Sequence, residues 1–358
     1  MRRSLEQLAR NCEVLKRFQA VPGTGAVWAA TFYVYVDTPW RFRTKEALWK
    51  YKDPFATPLS TRRFVARFSL MPLAQPGVEA TYMATQPLKL LILGAHPDDA
   101  EYHAGGLAIV YRQLGHTVRM ISLTNGSAGH HQRPPETLAE IRRAEAAASG
   151  AVIGAEYLTW DIPDGELVPT LEVRRMVIRE IRTFAPDLVL THRPYDYHPD
   201  HRAVGQLVQD ASYLVTVPNF MPEVPALYRD PVFAYMADLF TKPCPMTPNV
   251  VLDVTEHIDL IVRMLACHRT QVFEWLPYEE GVLDTVPADE QEKLGWLRRW
   301  YLDHIRPRAE RFRDLLVTAY GPQRGWQIEA CEVFEISQYG QRPDALRRAE
   351  LFPTARIA

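Results

Sequence analysis

The sequence lacks the usual marks of a secreted, disulfide-stabilised or membrane protein. No stretch of 18 or more apolar residues is present, which argues against a transmembrane helix. The N-terminal segment MRRSLEQLARNCEVLKRF is charged and has no apolar core of the kind found in signal peptides. The cysteines are far apart and form no Cys-X-X-Cys pair, so neither a disulfide framework nor a cysteine zinc site is expected; they are Cys12, Cys244, Cys267 and Cys331. We therefore expect a cytoplasmic protein with no membrane partner.

The sequence also has little net charge, but its charges are unevenly distributed. The total is −2 over 358 residues. Residues 1–70 contain 13 Lys and Arg against 5 Asp and Glu, or +8, which leaves 28 against 38, or −10, for the remainder. A basic arm on an acidic body indicates either a nucleic-acid contact or the joining of two segments of different origin.

From about Leu88 onward, strand-like and helix-like segments alternate. Leu88–Ala95 is a short continuous apolar run, typical of a strand that is covered on both faces. Further strands are predicted at 117–124, 156–162, 187–193, 232–237 and 249–255, and helices at 107–115, 137–150, 171–184, 201–215, 256–267 and 291–318. This order predicts an α/β fold, a Rossmann-like and mostly parallel sheet with helices on both faces.

Two histidine-rich segments follow two of these strands. The first, His96-Pro97-Asp98-Asp99, comes directly after the first strand, and the second, 198–201 (HPDH), follows the fourth. In such sheets, ligands bind beyond the carboxyl ends of the strands. A metal-dependent hydrolase needs imidazole and carboxylate ligands, a base for the attacking water and a donor for the oxyanion. The two segments contain all of these residue types, so they predict a metal-dependent active site.

These segments resemble those of the LmbE-like, or PIG-L-type, de-N-acetylases. That family carries AHPDDE after its first strand and HPDH later in the chain, whereas this sequence has Ala100 between Asp99 and Glu101. The resemblance continues through the Gly105-Gly106 pair and the segments TNGSAG, IRRAEA, WDIPDGEL and ACHRTQ, and it spans roughly residues 87–335. It implies an LmbE-like deacetylase fold.

The resemblance also implies a role for each motif residue. His96, Asp99 and His201 are expected to bind a metal, Asp98 to act as the general base and His198 to act as the acid or oxyanion partner. Candidate supporting residues are Asp200, which would orient a histidine, and Glu101, Tyr195, Tyr197 and His268, which would contact the substrate. Zn²⁺ is the expected metal, although two histidines and one carboxylate also suit Fe²⁺.

The function implied is hydrolysis of an amide. We expect removal of an acetyl or other acyl group from the nitrogen of a small N-acylated molecule such as an amino sugar. Two alternatives stay open: a non-catalytic sugar-binding module, and a DNA-binding or recombination protein that uses the basic arm. The sequence does not indicate the oligomeric state.

The N-terminal region does not follow the deacetylase pattern. Residues 8–63, and specifically the VPGTG segment from Val21 to Gly25, resemble the C-terminal part of an insertion-sequence transposase. In that family, the glycine hairpin contacts the DNA backbone, as basic residues also do. Because the other transposase parts are absent, we interpret residues 1–82 as a basic extension, either a gene remnant or the product of an upstream start, and do not expect DNA as a partner. Met83 is an alternative start, and residues 83–358 are expected to form the deacetylase domain.

Overall fold

The computed structural model describes residues 87–357. The predicted N-terminal extension over residues 1–82 lies outside these residues. Among the described helices, none is both long and apolar enough to cross a membrane.

An eight-stranded sheet forms the centre of the described region, with the strand order β3-β2-β1-β4-β5-β7-β6-β8. Its strands are β1 (Lys89–Gly94), β2 (Thr117–Ser122), β3 (Glu156–Thr159), β4 (Leu188–Thr191), β5 (Val232–Tyr235), β6 (Val250–Asp253), β7 (Cys331–Ile336) and β8 (Arg356–Ile357). Neighbours from β3 to β5 are parallel, whereas the β5–β7, β7–β6 and β6–β8 pairs are antiparallel. The prediction of a mostly parallel α/β sheet is confirmed.

Helices cover both faces of this sheet. They are α1 (Asp99–Gln113), α2 (Pro135–Ile153), α3 (Leu171–Phe184), α4 (Pro199–Leu214), α5 (Ile258–Leu265), α6 (Leu276–Glu279), α7 (Glu290–Arg311), α8 (Arg313–Gln327) and α9 (Ala345–Leu351), with a π-helical turn at Thr270–Trp275. Successive side chains of a strand point to opposite faces. Accordingly, Leu90 and Ile92 pack with Leu107 of α1, and Leu91 and Leu93 pack with Leu207 of α4.

The first helix begins earlier than the sequence indicated. We expected it to start after the Gly105-Gly106 pair, but α1 starts at Asp99 and passes through both glycines with a kink at Ala104. A Cβ on Gly106 would lie 2.4 Å from Val254 Cγ1. This glycine therefore allows α1 to pack closely against the segment that contains Val254, and it does not mark a helix end.

The predicted helix over residues 291–318 is two helices. The segment breaks between α7 and α8 at Phe312, whose φ of −107° and ψ of 27° are not helical. Phe312 is buried, so its packing in the core outweighs the helical preference of the flanking sequence.

Glu332 of β7 supports the kink of α1. One carboxylate oxygen accepts the Gly106 N–H at 2.5 Å and the other accepts the Leu107 N–H at 2.9 Å. Burial raises the pKa of this carboxyl group from 4.5 to about 7, although both N–H donors oppose the shift.

We expect Glu332→Ala to destabilise the protein because it leaves two buried N–H groups without partners. The loss in free energy of unfolding should be on the order of 2–4 kcal/mol. The pKa of Glu332 is higher in the folded than in the unfolded protein. Its ionisation therefore contributes stability that is fully present below about pH 4.5 and is lost as the pH rises through about 7. Urea unfolding at about pH 5 and about pH 8 should therefore show a larger loss at the acidic pH.

The matched control is Glu329→Ala, which removes an exposed carboxylate and should change stability by less than about 0.5 kcal/mol. An equal loss for Glu332→Ala at both pH values would contradict the raised pKa of Glu332.

Candidate metal centre

The two histidine-rich segments meet at the carboxyl edge of the sheet. Strands β1 and β4 are parallel neighbours, with Leu93 paired to Thr191, so both chains leave the sheet at the same edge. His96 lies just beyond β1, and His198 is the N-cap of α4, which follows β4. The connections of β1 and β4 diverge here, which is where such sheets bind ligands.

Asp99 is held at the first turn of α1. Its Oδ2 accepts the N–H groups of Ala95 at 2.8 Å and His96 at 2.7 Å and lies 3.1 Å from Nε2 of His192. Its Oδ1 lies 3.5 Å from Nε2 of His201. Burial opposes its charge, but His201 and His192 outweigh burial and hold the pKa of Asp99 well below its usual range.

Carboxylates fix the orientation of the two histidine rings. Nδ1 of His201 lies 3.2 Å from Oδ1 of Asp196. Nε2 of His96 lies 3.1 Å from Oδ1 of Asp164 and 3.3 Å from Oδ2 of Asp200. An ionised carboxylate only accepts hydrogen bonds, so these ring nitrogens carry the protons. In the neutral rings, the lone pairs are then on Nδ1 of His96 and Nε2 of His201.

Those two nitrogens face each other at 3.2 Å. Two lone pairs at this distance repel unless a proton or a cation lies near both. Ligands 2.0–2.1 Å from a tetrahedral ion would be about 3.3 Å apart. The closest contacts of Asp99 to these histidines are 3.5 Å from Oδ1 to His201 and 3.7 Å from Oδ2 to Nδ1 of His96. The donor set therefore fits a small divalent metal ion.

The electrostatics of the site also fit a cation. Burial disfavours the charged form of His96, but Asp164, Asp200 and Asp99 more than offset it and raise its pKa to about 10. The same balance, with Asp99 and Asp196 opposing burial, raises the pKa of His201. The carboxylates thus make the pocket favourable for positive charge.

Among residues 87–357, three overlapping groups of side chains have ligand atoms close enough for one metal ion: His96, His198 and His201; Asp99, His192 and His201; and His96, Asp164 and Asp200. Nδ1 of His198 accepts the Asp200 N–H at 3.2 Å, so its proton is on Nε2, which makes that nitrogen a donor. Its ring lies 4.5 Å from the His96 ring, centroid to centroid. The geometry therefore favours His198 as a donor beside the metal centre.

Asp98 has an uncommon backbone conformation. Its φ is 128°, and its N–H donates to the Tyr157 hydroxyl at 3.1 Å. Burial, followed by the charge of Asp99, raises the pKa of the Asp98 carboxyl group to about 7. A carboxylate with a pKa near neutrality is suited to general-base chemistry.

The other predicted residues are divided between the interior and the entrance of the site. Glu101 and His268 are fully buried and lie 2.7 Å apart, and Glu101 also accepts from Ser149. Neither therefore has an exposed surface with which to touch a substrate. By contrast, Tyr195 and Tyr197 are exposed.

Asp200 orients the ring of His96, which belongs to the first histidine segment, and not a histidine of its own segment at 198–201. It lies against His96 and accepts the backbone N–H groups of Gly165 at 2.7 Å and Leu167 at 3.2 Å. It therefore ties the loop after β3 to the metal centre.

Sequence reasoning did not identify Asp164, Asp196 or Arg142 as residues of the site. Arg142 is buried and donates to the Gly129 carbonyl at 2.7 Å and to Thr270 Oγ1 at 3.1 Å. Among the described residues, no carboxylate forms an ion pair with it. The only signal was the presence of Asp164 and Arg142 in the WDIPDGEL and IRRAEA segments, which shows nothing of where their side chains lie.

Residues 91–212, which contain both histidine segments, match the family model described as PIG-L: GlcNAc-PI de-N-acetylase. The matched stretch extends from β1 into α4 and contains His96, Asp99, His198 and His201.

The proteins that this chain resembles are named for two kinds of activity, deacetylation and hydration. The chain is 29% identical over 201 residues to diacetylchitobiose deacetylase of Thermococcus kodakarensis, which covers 53% of this chain and 74% of that protein. It is 24% identical over 211 residues to 4-oxalmesaconate hydratase of Pseudomonas putida, with 56% and 81% covered.

A solved structure has the same fold. The N,N'-diacetylchitobiose deacetylase of Pyrococcus horikoshii superposes with a TM-score of 0.52 at 21% identity, over 83% of this chain and 94% of that one. At this identity, the likeness shows the α/β fold alone.

Proposed function

We propose that the protein is a metal-dependent hydrolase that removes an acetyl or related acyl group from the nitrogen of an amino sugar. The observation that carries this proposal is the close approach of two unprotonated ring nitrogens. Nδ1 of His96 and Nε2 of His201 lie 3.2 Å apart, beside Asp98 and Asp99. His96, Asp99 and His201 would hold the metal. A bound Zn²⁺ or Fe²⁺ would supply Lewis acidity that polarises the amide carbonyl.

The side chains around this centre have the properties that amide hydrolysis needs. Asp98 takes a proton from the attacking water as the new C–O bond forms. His198 donates from Nε2 to the carbonyl oxygen as it gains negative charge. When the C–N bond breaks, the proton held by Asp98 passes to the leaving nitrogen, so the products are a carboxylic acid and a free amine, which then exchange the remaining water proton to give a carboxylate and an ammonium group.

Polar groups near the centre could recognise a sugar. Asp164 Oδ2 lies 3.5 Å from the position that a Cβ on Gly129 would occupy, and this carboxylate oxygen can accept a hydrogen bond from a sugar hydroxyl. Arg142 is fully buried and donates to the Gly129 carbonyl, so it does not itself face the substrate. This arrangement supports an amino sugar as the substrate class.

The test is release of acetate by the purified full chain loaded with Zn²⁺ or Fe²⁺. We expect N-acetylglucosamine or diacetylchitobiose to be converted to the free amine. Mass spectrometry measures the formation of that amine. An unsaturated carboxylic acid serves as the comparison substrate, because one relative is named a hydratase. Hydration of that acid without acetate release would overturn the proposal, and sugar binding without turnover would favour a binding module.

His198→Ala should retain the metal but lower kcat by ~10²–10³-fold, with little change in KM. The reason is that the oxyanion, its partner, exists only near the transition state. The control is His257→Ala, which alters a histidine in the turn before α5 and should leave kcat unchanged. A rise in KM alone would instead make His198 a group that binds the ground state.

We further propose that residues 83–358 form the catalytic unit. A chain starting at Met83 should bind metal and hydrolyse substrate like the full chain, because both histidine segments and all described strands lie within it. Thermal melts and kcat/KM of the two chains provide the comparison. Loss of activity in the shorter chain would show that residues 1–82 belong to the enzyme, and salt-sensitive DNA binding by the full chain alone would support the DNA-binding alternative.

A further inference from the structure

Asp98, the proposed general base, has a strained backbone. Its φ of 128° lies in a region that costs free energy for residues other than glycine. Such a conformation persists only where the surrounding structure holds it, and strained residues of this kind are concentrated at functional sites. The contacts that hold the Asp98 backbone are therefore expected to matter for its chemistry.

The carboxylate of Asp98 does not help to hold this conformation. Asp98 is the N-cap of α1, a position at which an aspartate side chain usually accepts an N–H of the first helical turn. Here the side chain forms no capping hydrogen bond, although the Asp98 carbonyl accepts the N–H of Tyr102 at 3.0 Å. The helix therefore holds the backbone on the C-terminal side of Asp98 and leaves the carboxylate free for chemistry.

The N-terminal side of Asp98 is held by Tyr157, a residue of β3 that lies 59 positions further along the chain. The Asp98 N–H donates to the Tyr157 hydroxyl at 3.1 Å. The torsion φ turns about the bond between this nitrogen and Cα, so the hydrogen bond acts on the strained torsion itself. A side chain from another strand thus restrains the torsion that directs the Asp98 carboxylate.

Tyr157 is itself held on two sides. A Cβ on Gly150, in the last turn of α2, would lie 2.9 Å from the Tyr157 Cβ and 2.8 Å from the Ala155 carbonyl oxygen, so this glycine lets α2 pack closely against β3. On the other side, the His268 ring lies 6.0 Å from the Tyr157 ring, centroid to centroid, at an angle of 66°. This edge-to-face packing is favourable for two rings and gives the buried hydroxyl a fixed place.

Glu101 fixes the His268 ring in turn. Nε2 of His268 lies 2.7 Å from Oε1 of Glu101, and both side chains are fully buried. The same oxygen accepts the hydroxyl of Ser149, which precedes Gly150 in α2. We expected Glu101 and His268 to contact the substrate, but their buried positions let them support the ring of Tyr157.

We propose that Tyr157 is a positioning residue, which holds the Asp98 backbone in the conformation that general-base catalysis requires. The inference rests on the proposed hydrolase function and adds to it a residue of β3, a strand that carries neither histidine segment. Without the Tyr157 hydroxyl, the strained torsion relaxes and the Asp98 carboxylate changes direction. Turnover then falls more than substrate affinity does, because a general base acts in the chemical step.

The first experiment measures kcat, KM and metal content of Tyr157→Phe as the metal-loaded full chain. Phenylalanine keeps the ring and removes only the acceptor of the Asp98 N–H. We expect kcat to fall by ~10–100-fold, the size of effect that a small misplacement of a catalytic group has, with KM and metal content unchanged. A native kcat, or a rise in KM alone, contradicts the inference.

The matched control is Tyr111→Phe. It removes the hydroxyl of another buried tyrosine of the same core, one that donates to the Leu351 carbonyl at 2.6 Å. This variant loses a buried hydrogen bond but should keep the kcat of the native chain. An equal fall in kcat for Tyr111→Phe would show that the effect of Tyr157→Phe is a general loss of stability.

A double variant shows whether Tyr157 acts through Asp98. If it does, adding Tyr157→Phe to Asp98→Asn should lower kcat no further, whereas independent effects multiply. A further ~10–100-fold loss in the Asp98→Asn background would mean that Tyr157 acts through another group, and the inference would be wrong while the proposed function stood.

Hydrogen exchange of the Asp98 amide gives a measurement that needs no substrate. In protein labelled with ¹⁵N at aspartate, NMR detects this amide, which is assigned by its absence from Asp98→Asn. We expect about fivefold faster exchange in Tyr157→Phe, the effect of losing one hydrogen bond, and native exchange in Tyr111→Phe. If no substrate is hydrolysed, the proposed function fails, but this rate still tests the inference: faster exchange shows that Tyr157 holds Asp98, and unchanged exchange overturns it.

Discussion

Purified His201→Ala is expected to contain almost no metal and to have no measurable deacetylase activity. The variant removes the Nε2 lone pair that faces Nδ1 of His96 at 3.2 Å, one of three proposed ligands. His96→Ala and Asp99→Ala should behave alike for the same reason. Metal content by mass spectrometry, measured on protein whose circular dichroism matches the native chain, provides the test.

Matched variants separate ligands from the groups that orient them. Asp196→Asn keeps His201 but weakens its hydrogen bond at Nδ1, so metal affinity should fall by only about 10–100-fold. His198→Ala and His192→Ala should keep near-stoichiometric metal at saturating supply. If His198→Ala lost its metal while Asp99→Ala kept it, the group of His96, His198 and His201 would be the ligand set.

Asp98→Asn should keep the metal and lose ~10²–10⁴-fold in kcat, the usual contribution of a general base. The amide has nearly the same shape as the carboxylate but cannot accept a proton at neutral pH. Asparagine also adopts positive φ more readily than most residues, so it should tolerate the φ of 128° at this position. Steady-state acetate release and metal content measure the two effects separately.

The control for Asp98→Asn is Asp161→Asn, which changes an aspartate whose side chain is 81% exposed and should not alter kcat. Turnover of Asp98→Asn close to that of the native chain would show that another group takes the proton. Asp164 would then be the first residue to replace, because it lies 3.1 Å from His96.

The fold class and the place of the site could be predicted because both depend on local patterns. Alternating apolar strands and amphipathic helices predict a parallel sheet. In a parallel sheet, segments that follow different strands emerge at one edge, so the sequence places the His96 and His198 segments on the same edge. That β1 and β4 are also neighbours, although about one hundred residues separate them, is decided by the tertiary structure.

Tertiary structure alone decided which polar residues surround the histidines. Asp164 arrives from the loop after β3 and Arg142 from α2, and both are single polar residues without a periodic pattern to reveal where they point. Packing likewise decided that α1 runs through Gly106, since the contact with Val254 joins segments far apart in the chain.

The sequence by itself determined the alternation of strands and helices and the two histidine segments at the carboxyl ends of β1 and β4. Only the folded chain decided which ring nitrogens of His96 and His201 carry a proton. These tautomers depend on the carboxylates that lie against the two rings, which are Asp164, Asp196 and Asp200. Whether a carboxylate hydrogen-bonds to a given ring nitrogen depends on distances of a few tenths of an ångström between side chains. Spacing along a sequence does not contain those distances.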